Sequence, residues 1–244
     1  MSVGRYRVLL AGRVHVHFTD RLGGASAPPY DTRNLGGRTG DDPGAVRRNR
    51  ESTARELGVD PGAVVYMRQV HGADTRYVRE PFGRDAPPLD AIYTDRPGLA
   101  LAALGADCAP VLIGDPDAGI VGAAHSGRVG TAAGVVPALV EAMTAHGAEA
   151  ARMVAVVGPA ICGGCYEVSA QVRDEVCAVV PEAWATTRSG TPSVDVRSGI
   201  AAQLARAGVG EIRHDDRCTA ESPELYSYRR DGDTGRFAGY VWLK

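Results

Sequence analysis

Three residues of this chain have metal-binding side chains and stand at the ends of apolar segments: His71, Cys108 and His125. They occur in the segments RQVHG, GADCAP and AAHSG, each beside glycine or alanine. Two imidazoles and one thiolate are one ligand short of a closed structural zinc site. Catalytic metal sites have three protein ligands, because water or substrate needs the fourth position. The three residues therefore predict a divalent metal site, with zinc as the expected metal and copper as the less favoured one.

The same residues allow two simpler interpretations. In a Cys–His nucleophilic pair, the imidazole lowers the pKa of the thiol and no metal is required. A single His or Cys in an apolar run is also commonly a satisfied core residue, since free cysteine is among the most buried residue types. Spacing along the chain does not show whether the three side chains meet, so these interpretations stay open.

The composition is that of a globular protein with a sizeable core. The chain has 244 residues, of which 44% are hydrophobic and 23% charged, and we expect residues 1–244 to form a single domain. The net charge of −2 gives no electrostatic reason to expect a nucleic acid or an anionic membrane as partner. No apolar run approaches the ~20 residues of a membrane span. The start MSVGRYRVLLAG lacks the long apolar core of a secretory signal. We therefore expect a cytoplasmic monomer.

Strand and helix patterns are mixed along the whole chain, which predicts an α/β fold with a mixed sheet. Strands are predicted at Tyr6–Ala11 and Val14–Phe18, and a strand–turn–strand unit over residues 64–78 has His71-Gly72 at its turn. Near-continuous apolar runs are typical of strands buried on both faces. Further strands are predicted at LDAIYTD, LALAAL, APVLIGD, GIVGAAHSG and VAVVGP.

Helices are predicted from their capping residues. Asp42 is a suitable N-cap, Pro43 suits the first helical position and Gly58 suits the stop. Further helices are predicted over residues 131–146, where Pro137 kinks the helix or begins it, and over 169–180 and 195–207. The segment RRDGDTG, between LYSY and FAGYVWL, predicts a hairpin near the C-terminus.

The polar segment Asp20–Asp42 contains too few large apolar residues to belong to the core. A loop of this length inside a compact domain is usually functional or disordered. Gly36-Gly37 would allow backbone N–H groups to approach an anion closely, and Arg38 is the nearest positive charge. Arg38 and Arg50 are therefore candidates for binding a phosphate or carboxylate.

Cys162-Gly-Gly-Cys165 is a second arrangement of potential ligands. A C-x-x-C pair is typical of redox sites and of half a zinc site. A zinc ribbon needs a second pair of this kind, and the sequence has none. Two thiols in a tight turn are therefore the preferred interpretation, and Cys177 and Cys218 are expected to be structural.

Six ordered blocks of the chain resemble the YfiH/YlmD family, which was first labelled a polyphenol oxidoreductase laccase domain. The blocks are RNLGGRTGDDPGAVRRNR, RQVHGAD, ADCAPVLIGDP, AAHSGRVGTAAGVV, GPAICGGCYEV and YSYRRDGDTGRFAGYVWL. The resemblance implies an α/β/β/α mixed-sheet sandwich. It also implies that His71, Cys108 and His125 bind zinc and line the active site of a purine nucleoside phosphorylase. Adenosine deaminase and methylthioadenosine phosphorylase activities are implied in the same pocket, with purine nucleosides and phosphate as substrates.

The resemblance adds candidates around this centre. Asn34 and Arg50 fall in the first block, and Asp107 is a candidate proton carrier because it precedes Cys108. The family commonly reads His-Ala-Gly-Trp-Arg-Gly, whereas this chain reads His-Ser-Gly-Arg-Val-Gly from His125. Arg128 therefore stands where the family has tryptophan, one place before the family's arginine.

Three other functions remain open on the sequence. One is a metal-independent Cys108–His125 hydrolase, and another is a non-catalytic metal-binding partner protein. The third is a copper-dependent polyphenol oxidoreductase, which would require several histidine-rich copper sites. The chain has six histidines in total, and only two of them stand in the motif blocks.

Overall fold

The computed structural model describes residues 13–83 and 85–244, together with the backbone of residues 6–10. Six α-helices lie within these residues: α1 (Pro43–Leu57), α2 (Arg128–Ala133), α3 (Val135–Ala145), α4 (Ala170–Val179), α5 (Val196–Arg206) and α6 (Tyr228–Asp231). The strands are β1 (Tyr6–Leu10), β2 (Val14–Phe18), β3 (Val64–Tyr66), β4 (Thr75–Tyr77), β5 (Ala91–Thr94), β6 (Ala100–Gly105), β7 (Ala109–Asp115), β8 (Ile120–Ser126), β9 (Val154–Val157), β10 (Trp184–Thr186), β11 (Pro192–Val194), β12 (Glu211–His214) and β13 (Phe237–Leu243).

Most of the strands form two mixed sheets. The five-stranded sheet has the order β1-β2-β13-β6-β3, and the six-stranded sheet has the order β12-β9-β7-β8-β5-β4. Three pairings are parallel, β3 with β6, β4 with β5, and β12 with β9, whereas the other neighbours within these sheets are antiparallel. Strands β10 and β11 form a separate antiparallel ribbon.

The two sheets pack face to face and helices cover their outer faces. Val241 and Leu243 of β13 lie in the core between the sheets, whereas Tyr240 and Trp242 face the helix α1 side, as the two-residue period of a strand requires. Helices α3 and α5 bury their apolar residues against the outer face of the six-stranded sheet. This is the single α/β domain with mixed sheets that the sequence pattern predicts, in the α/β/β/α arrangement that the family resemblance implies.

The capping residues predict the first helix correctly. Asp42 accepts hydrogen bonds from the backbone N–H groups of Gly44 and Ala45, and Gly58 ends the helix in the left-handed conformation with φ 75°. The predicted helix over 131–146 is instead divided into α2 and α3 at Gly134, whose φ is 79°. Pro137 lies in the first turn of α3, where its missing N–H costs no hydrogen bond.

Two predicted hairpins differ from the structure. Strand β3 joins the five-stranded sheet and β4 joins the six-stranded sheet, so residues 67–74 cross from one sheet to the other. The predicted C-terminal hairpin is wrong, because Ser227 caps the short helix α6 there. The apolar residues Leu225 and Tyr226 before it are buried in a small cluster with Phe237 instead of forming a strand.

Within the described part of the chain, we find no helix with the length and apolar character needed to cross a bilayer.

Candidate functional site

His71, Cys108 and His125 are brought together where the chain passes between the sheets. His71 lies on the crossing from β3 to β4, and Cys108 lies on the crossing from β6 to β7. His125 is the next-to-last residue of β8 in the six-stranded sheet. One potential ligand atom from each residue lies within 4.8 Å of the other two. The imidazole rings of His71 and His125 have their centroids 4.8 Å apart at an angle of 75°.

Asp90, which no motif in the sequence marked, holds both histidines in place. Its fully buried carboxylate accepts hydrogen bonds from the backbone N–H groups of His71 at 3.0 Å and Gly72 at 2.7 Å. The same carboxylate pairs with Nδ1 of His125 at 2.8 Å, so Nε2 is the ring nitrogen that does not contact Asp90. Carboxylate–histidine pairs of this kind fix the tautomer and orientation of metal-binding imidazoles. Burial opposes ionisation of Asp90, but the hydrogen bonds from His125 and Gly72 outweigh it and lower its pKa.

One residue of this centre and one residue next to it in the chain have the left-handed backbone conformation that non-glycine residues rarely adopt. These are His71, with φ 63°, and Asp107, with φ 90°. The Asp107 carboxylate accepts hydrogen bonds from the hydroxyls of Thr219 and Ser227 and from the backbone N–H of Arg229. These bonds stabilise the turn that presents Cys108, since backbone strain persists only where the surroundings enforce it. Asp107 therefore has three donors on its carboxylate and acts as an acceptor.

The charges within the centre shift two pKa values in opposite directions. Burial opposes ionisation of Cys108, but the neighbouring imidazoles of His125 and His71 outweigh it and lower the thiol pKa to about 6. Burial also disfavours the charged form of His125, but Cys108 and Asp90 raise its pKa to about 9. In the metal-free protein, the two side chains therefore form a thiolate–imidazolium pair at neutral pH.

Gly127 leaves the space that the thiol occupies. A Cβ at this position would lie 2.4 Å from Sγ of Cys108, far inside van der Waals contact. The φ of Gly127 is −94°, so the requirement for glycine is steric and not conformational. The glycine of the His-Ser-Gly segment thus allows β8 and the Cys108 turn to approach each other.

The three residues open into a cavity of about 840 Å³, within the usual size range of small-molecule sites. Five arginines line it, and among the described residues Asp107 is the one carboxylate in its wall. Three tyrosines add aromatic surface: Tyr66, Tyr166 and Tyr228. The arginines are Arg38, Arg50, Arg68, Arg229 and Arg236. A cavity with this charge favours an anionic ligand.

Arg38, Arg50 and Asp107, which the sequence singled out, lie in the wall of this cavity. Arg38 is exposed and has no hydrogen bond or ion pair within the part of the chain that the structure describes. Arg50 donates to the carbonyl of Leu35 at 2.9 Å and stacks on the ring of Tyr66, 3.8 Å from its centroid. The segment containing Gly36-Gly37 therefore forms one side of the cavity together with Arg50.

Asn34 and Arg128 do not line the cavity. Asn34 is fully buried, and its amide donates to Thr39 and Asp41 while its oxygen accepts from the N–H groups of Gly36 and Arg236. These bonds hold the shape of the polar loop, and Asn34 does not face the cavity in this structure. Arg128 is the first residue of α2 and is half-buried outside the cavity wall. The geometry therefore gives no support to a substrate contact by Arg128.

Three of the cationic residues were missed in the sequence. Arg68 stands three residues before His71 in the same block, and its buried Nε has no hydrogen-bond partner among the described residues. Arg229 was assigned to a hairpin, but its backbone binds Asp107 and its side chain faces the ring of Tyr166. Arg236 follows that segment and donates to the carbonyls of Thr234 and Gly235. The sequence signal for Arg68 was its place in the RQVHG block, whereas the other two depend on long-range folding.

The donor set fits a metal ion. Two imidazole nitrogens and one thiolate suit zinc and also copper, and the opening into the cavity leaves room for a further ligand. Among the described residues, the other potential cluster contains Cys162, Cys165, Cys218 and Glu221 and has no histidine. A set of several histidine-rich copper centres is therefore not formed by these residues.

Comparisons with known proteins agree with the architecture. The sequence model of a family described as multi-copper polyphenol oxidoreductase laccase matches residues 15–244. Purine nucleoside phosphorylase ORF3 of Streptomyces griseus is 57% identical over 236 residues, which are 96% of each chain. The crystal structure of YlmD from Geobacillus stearothermophilus is similar with a TM-score of 0.89 at 33% identity, covering 96% of this chain and 93% of that one. YfiH of Bacillus licheniformis has a TM-score of 0.88 at 32% identity, over 95% and 93% of the two chains. This chain therefore belongs to the YfiH/YlmD family of laccase-like proteins.

Proposed function

We propose that this protein is a purine nucleoside phosphorylase that cleaves adenosine, inosine, guanosine and methylthioadenosine with phosphate. The observation that carries the proposal is that five arginines line the same cavity as His71, Cys108 and His125. The name of the Streptomyces griseus relative supports the same reaction, because 96% of each chain is matched.

Phosphorolysis requires phosphate to be held against C1′ of the ribose. An oxygen of phosphate forms a bond to C1′, the bond from C1′ to the purine nitrogen breaks, and the purine leaves with that electron pair and takes up a proton. Arginine guanidinium groups bind phosphate through paired N–H donors. Arg38 is the candidate for this contact, since its guanidinium has no partner among the described residues.

The purine needs an apolar surface with a polar edge. Aromatic faces are supplied in the cavity by Tyr66, Tyr166 and Tyr228. Aromatic rings stack on nucleobases, because every base has a flat π-face. Tyr228 is 61% exposed at the rim, where a ligand would cover it. These side chains would orient the nucleoside so that its sugar faces the arginines.

We further propose that the same centre deaminates adenosine, with zinc held by His71, Cys108 and His125. A zinc ion at this position supplies Lewis acidity at neutral pH. In the reaction, the oxygen of water would form a bond to C6 and the bond from C6 to the amino nitrogen would break. A proton from the water would pass to that nitrogen, which leaves as ammonia. Asp90 keeps the His125 ring fixed, and the Asp107 turn holds Cys108 at the cavity floor.

A metal-independent Cys108–His125 hydrolase is the second candidate. The thiolate–imidazolium pair of the metal-free protein favours it, because an ionised thiol is the nucleophile of such enzymes. Zinc content and turnover separate the two functions. A hydrolase would keep its activity when zinc is removed, and it would release free ribose without phosphate.

Substitution of Cys108 tests the proposed site. Cys108→Ala should lower the turnover of adenosine and inosine by at least about a thousandfold, because the variant loses one of three groups that act as a unit. Cys177→Ala is the matched control, since Cys177 is half-buried on α4 outside the cavity and its loss should leave turnover unchanged. Normal turnover by a folded Cys108→Ala protein would contradict the assignment.

A further inference from the structure

A second group of metal-binding side chains lies outside the cavity. The sulfurs of Cys162, Cys165 and Cys218 and a carboxylate oxygen of Glu221 all lie within 4.8 Å of one another. None of these four residues lines the cavity of the His71 centre. The proposed reaction uses none of them.

The four residues come from two turns of the same construction. In the first turn, the carbonyl of Cys162 accepts hydrogen bonds from the N–H groups of Cys165 and Tyr166. In the second turn, the carbonyl of Cys218 accepts from Glu221 and Ser222. The chain thus has a C-x-x-C turn facing a C-x-x-E turn, which takes the place of the second C-x-x-C pair of a zinc ribbon.

The turns are joined by backbone contacts at the sulfurs. Ala160 and Cys218 form a parallel β-bridge, and the N–H of Cys162 donates to Sγ of Cys218 at 3.3 Å. Backbone N–H groups that point at sulfur stabilise its thiolate form, which is the form that binds metal. The two turns are therefore held together beside the sulfurs.

A positively charged side chain, that of Arg188, contacts the cluster. Arg188 donates through Nη1 to Sγ of Cys165 at 3.2 Å and forms an ion pair with Glu221. The Arg188 side chain is 65% exposed, so it can move away when a metal ion takes its place.

We propose that Cys162, Cys165, Cys218 and Glu221 form a closed structural zinc site, separate from the His71 centre. Three thiolates and one carboxylate make a complete tetrahedral set, which leaves no open position for substrate. Binding of one Zn²⁺ displaces the protons of the three thiols, and these protons pass to the solvent.

The site would fix the turn that carries Cys108. The N–H of Ile161, next to Cys162, donates to the carbonyl of Asp107 at 3.0 Å. The hydroxyl of Thr219, next to Cys218, donates to the Asp107 carboxylate at 2.6 Å. Both turns of the cluster therefore support the same residue, and a metal ion that joins them would hold Asp107 and Cys108 in position.

Cobalt substitution of a double variant tests the site without relying on activity. His71→Ala/Cys108→Ala removes two donors of the cavity centre, so any thiolate-to-cobalt absorption in this protein must come from the second cluster. The variant, titrated with Co²⁺ and then Zn²⁺, is expected to bind one ion per chain with the absorption of a tetrahedral, sulfur-rich site. Adding Cys162→Ser/Cys165→Ser should abolish the absorption, whereas adding Cys177→Ser should leave it unchanged.

A milder variant covers the case in which the double serine variant does not fold. Glu221→Gln should weaken cobalt binding at least about tenfold and leave the sulfur absorption in place, because only a carboxylate ligand is lost. Glu224→Gln is its control, since Glu224 lies three residues further on and pairs with Arg217. No bound ion in the His71→Ala/Cys108→Ala protein would overturn the proposal, as would a disulfide among Cys162, Cys165 and Cys218 in the unreduced protein.

Discussion

The chemistry at the residue scale depends on how Cys108 is surrounded. Its sulfur lies against the rings of His71 and His125, and Asp90 fixes the second ring. The imidazoles lower the pKa of the thiol although burial opposes this effect. The other cysteines with shifted pKa values, Cys165, Cys177 and Cys218, are shifted upwards, chiefly by burial. Cys108 is therefore expected to be the reactive thiol of the metal-free protein.

The first prediction concerns this reactivity. After removal of metal by a chelator, the rate of alkylation of Cys108 by iodoacetamide should rise with a midpoint near pH 6, since the thiolate is the reacting form. A lowered thiol pKa means that reactivity is retained at neutral pH and lost as the pH falls through about 6. Peptide mass spectrometry identifies the labelled residue, with Cys177 as the internal reference. A Cys108 midpoint at or above that of an ordinary thiol would refute the ion pair.

Arg38 provides the second prediction at this scale. Arg38→Ala should raise the apparent KM for phosphate about tenfold and change the KM for nucleoside much less, because one charge-assisted contact to phosphate is lost. Arg48→Ala is the matched control, since Arg48 is exposed, pairs with Asp42 and does not line the cavity. Steady-state kinetics with each substrate varied in turn give both constants. Equal changes in the two KM values would show that Arg38 does not select phosphate.

At the element scale, the site depends on the ends of strands and on the glycine that follows β8. Because Gly127 has no Cβ, the chain can pass beside the sulfur of Cys108 before α2 begins. Gly130 lies three residues further on, in α2, and an added Cβ there would make ordinary contacts of 3.4 Å. The two glycines thus separate an effect on the site from an effect on the helix.

Substitution of each glycine by alanine gives the third prediction. Gly127→Ala should lower kcat/KM at least about a hundredfold, because the new methyl group displaces the Cys108 sulfur and a shift of 1 Å can cost that much. Gly130→Ala should keep normal activity and be about as stable as the parent or more stable, since alanine favours a helix. Activity assays and thermal unfolding of both proteins provide the comparison. If Gly127→Ala were as active as Gly130→Ala, the close approach would have no functional role.

Local sequence signals predicted many elements but few of their partners. Asp42 and Gly58 mark the ends of α1 because capping depends on neighbours along the chain. The position of RRDGDTG between LYSY and FAGYVWL predicted a hairpin, but Leu225 and Tyr226 instead pack in a small cluster with Phe237. Which sheet each strand joins is set by long-range packing, so the crossing that carries His71 appeared in the sequence as a hairpin turn.

The candidate site was predictable to a similar extent. Residue type and position identified His71, Cys108 and His125, and the resemblance supplied their expected role. Asp90 had no visible signal, because a single aspartate before a strand is common and its partners are far along the chain. The partnership of Cys162 with Cys218 and Glu221 likewise depends on folding, since more than fifty residues separate the two turns.

At the scale of the whole molecule, the packing of the two sheets sets the distances between His71, Cys108 and His125. His71 and Cys108 lie on segments that run from the five-stranded to the six-stranded sheet, whereas His125 belongs to the latter. Phe18 of β2 fills the space between the sheets. Its ring lies against Gly239 of β13 and against Gly158, which follows β9, where an added Cβ would meet it at 2.8 Å and 2.4 Å. The inter-sheet core is therefore part of what positions the site.

Truncation of that ring gives the fourth prediction. Phe18→Ala should lower the free energy of unfolding by about 3–5 kcal/mol, because it removes a fully buried aromatic side chain and leaves a cavity between the sheets. Leu22→Ala, at a residue 56% exposed in the polar loop, should change the stability by less than about 0.5 kcal/mol. Urea unfolding followed by circular dichroism measures both values. A loss below about 1 kcal/mol for Phe18→Ala would mean that the sheets are not held together by this core.

One measurement tests the central claim, that this cavity binds phosphate and cleaves purine nucleosides. The purified protein is incubated with adenosine or inosine, with and without phosphate, and the products are separated by chromatography. We expect free purine base and ribose 1-phosphate in equal amounts, formed only when phosphate is present, together with inosine from adenosine through the deaminase activity. Release of free ribose regardless of phosphate, or no release of base from any purine nucleoside, would contradict the account.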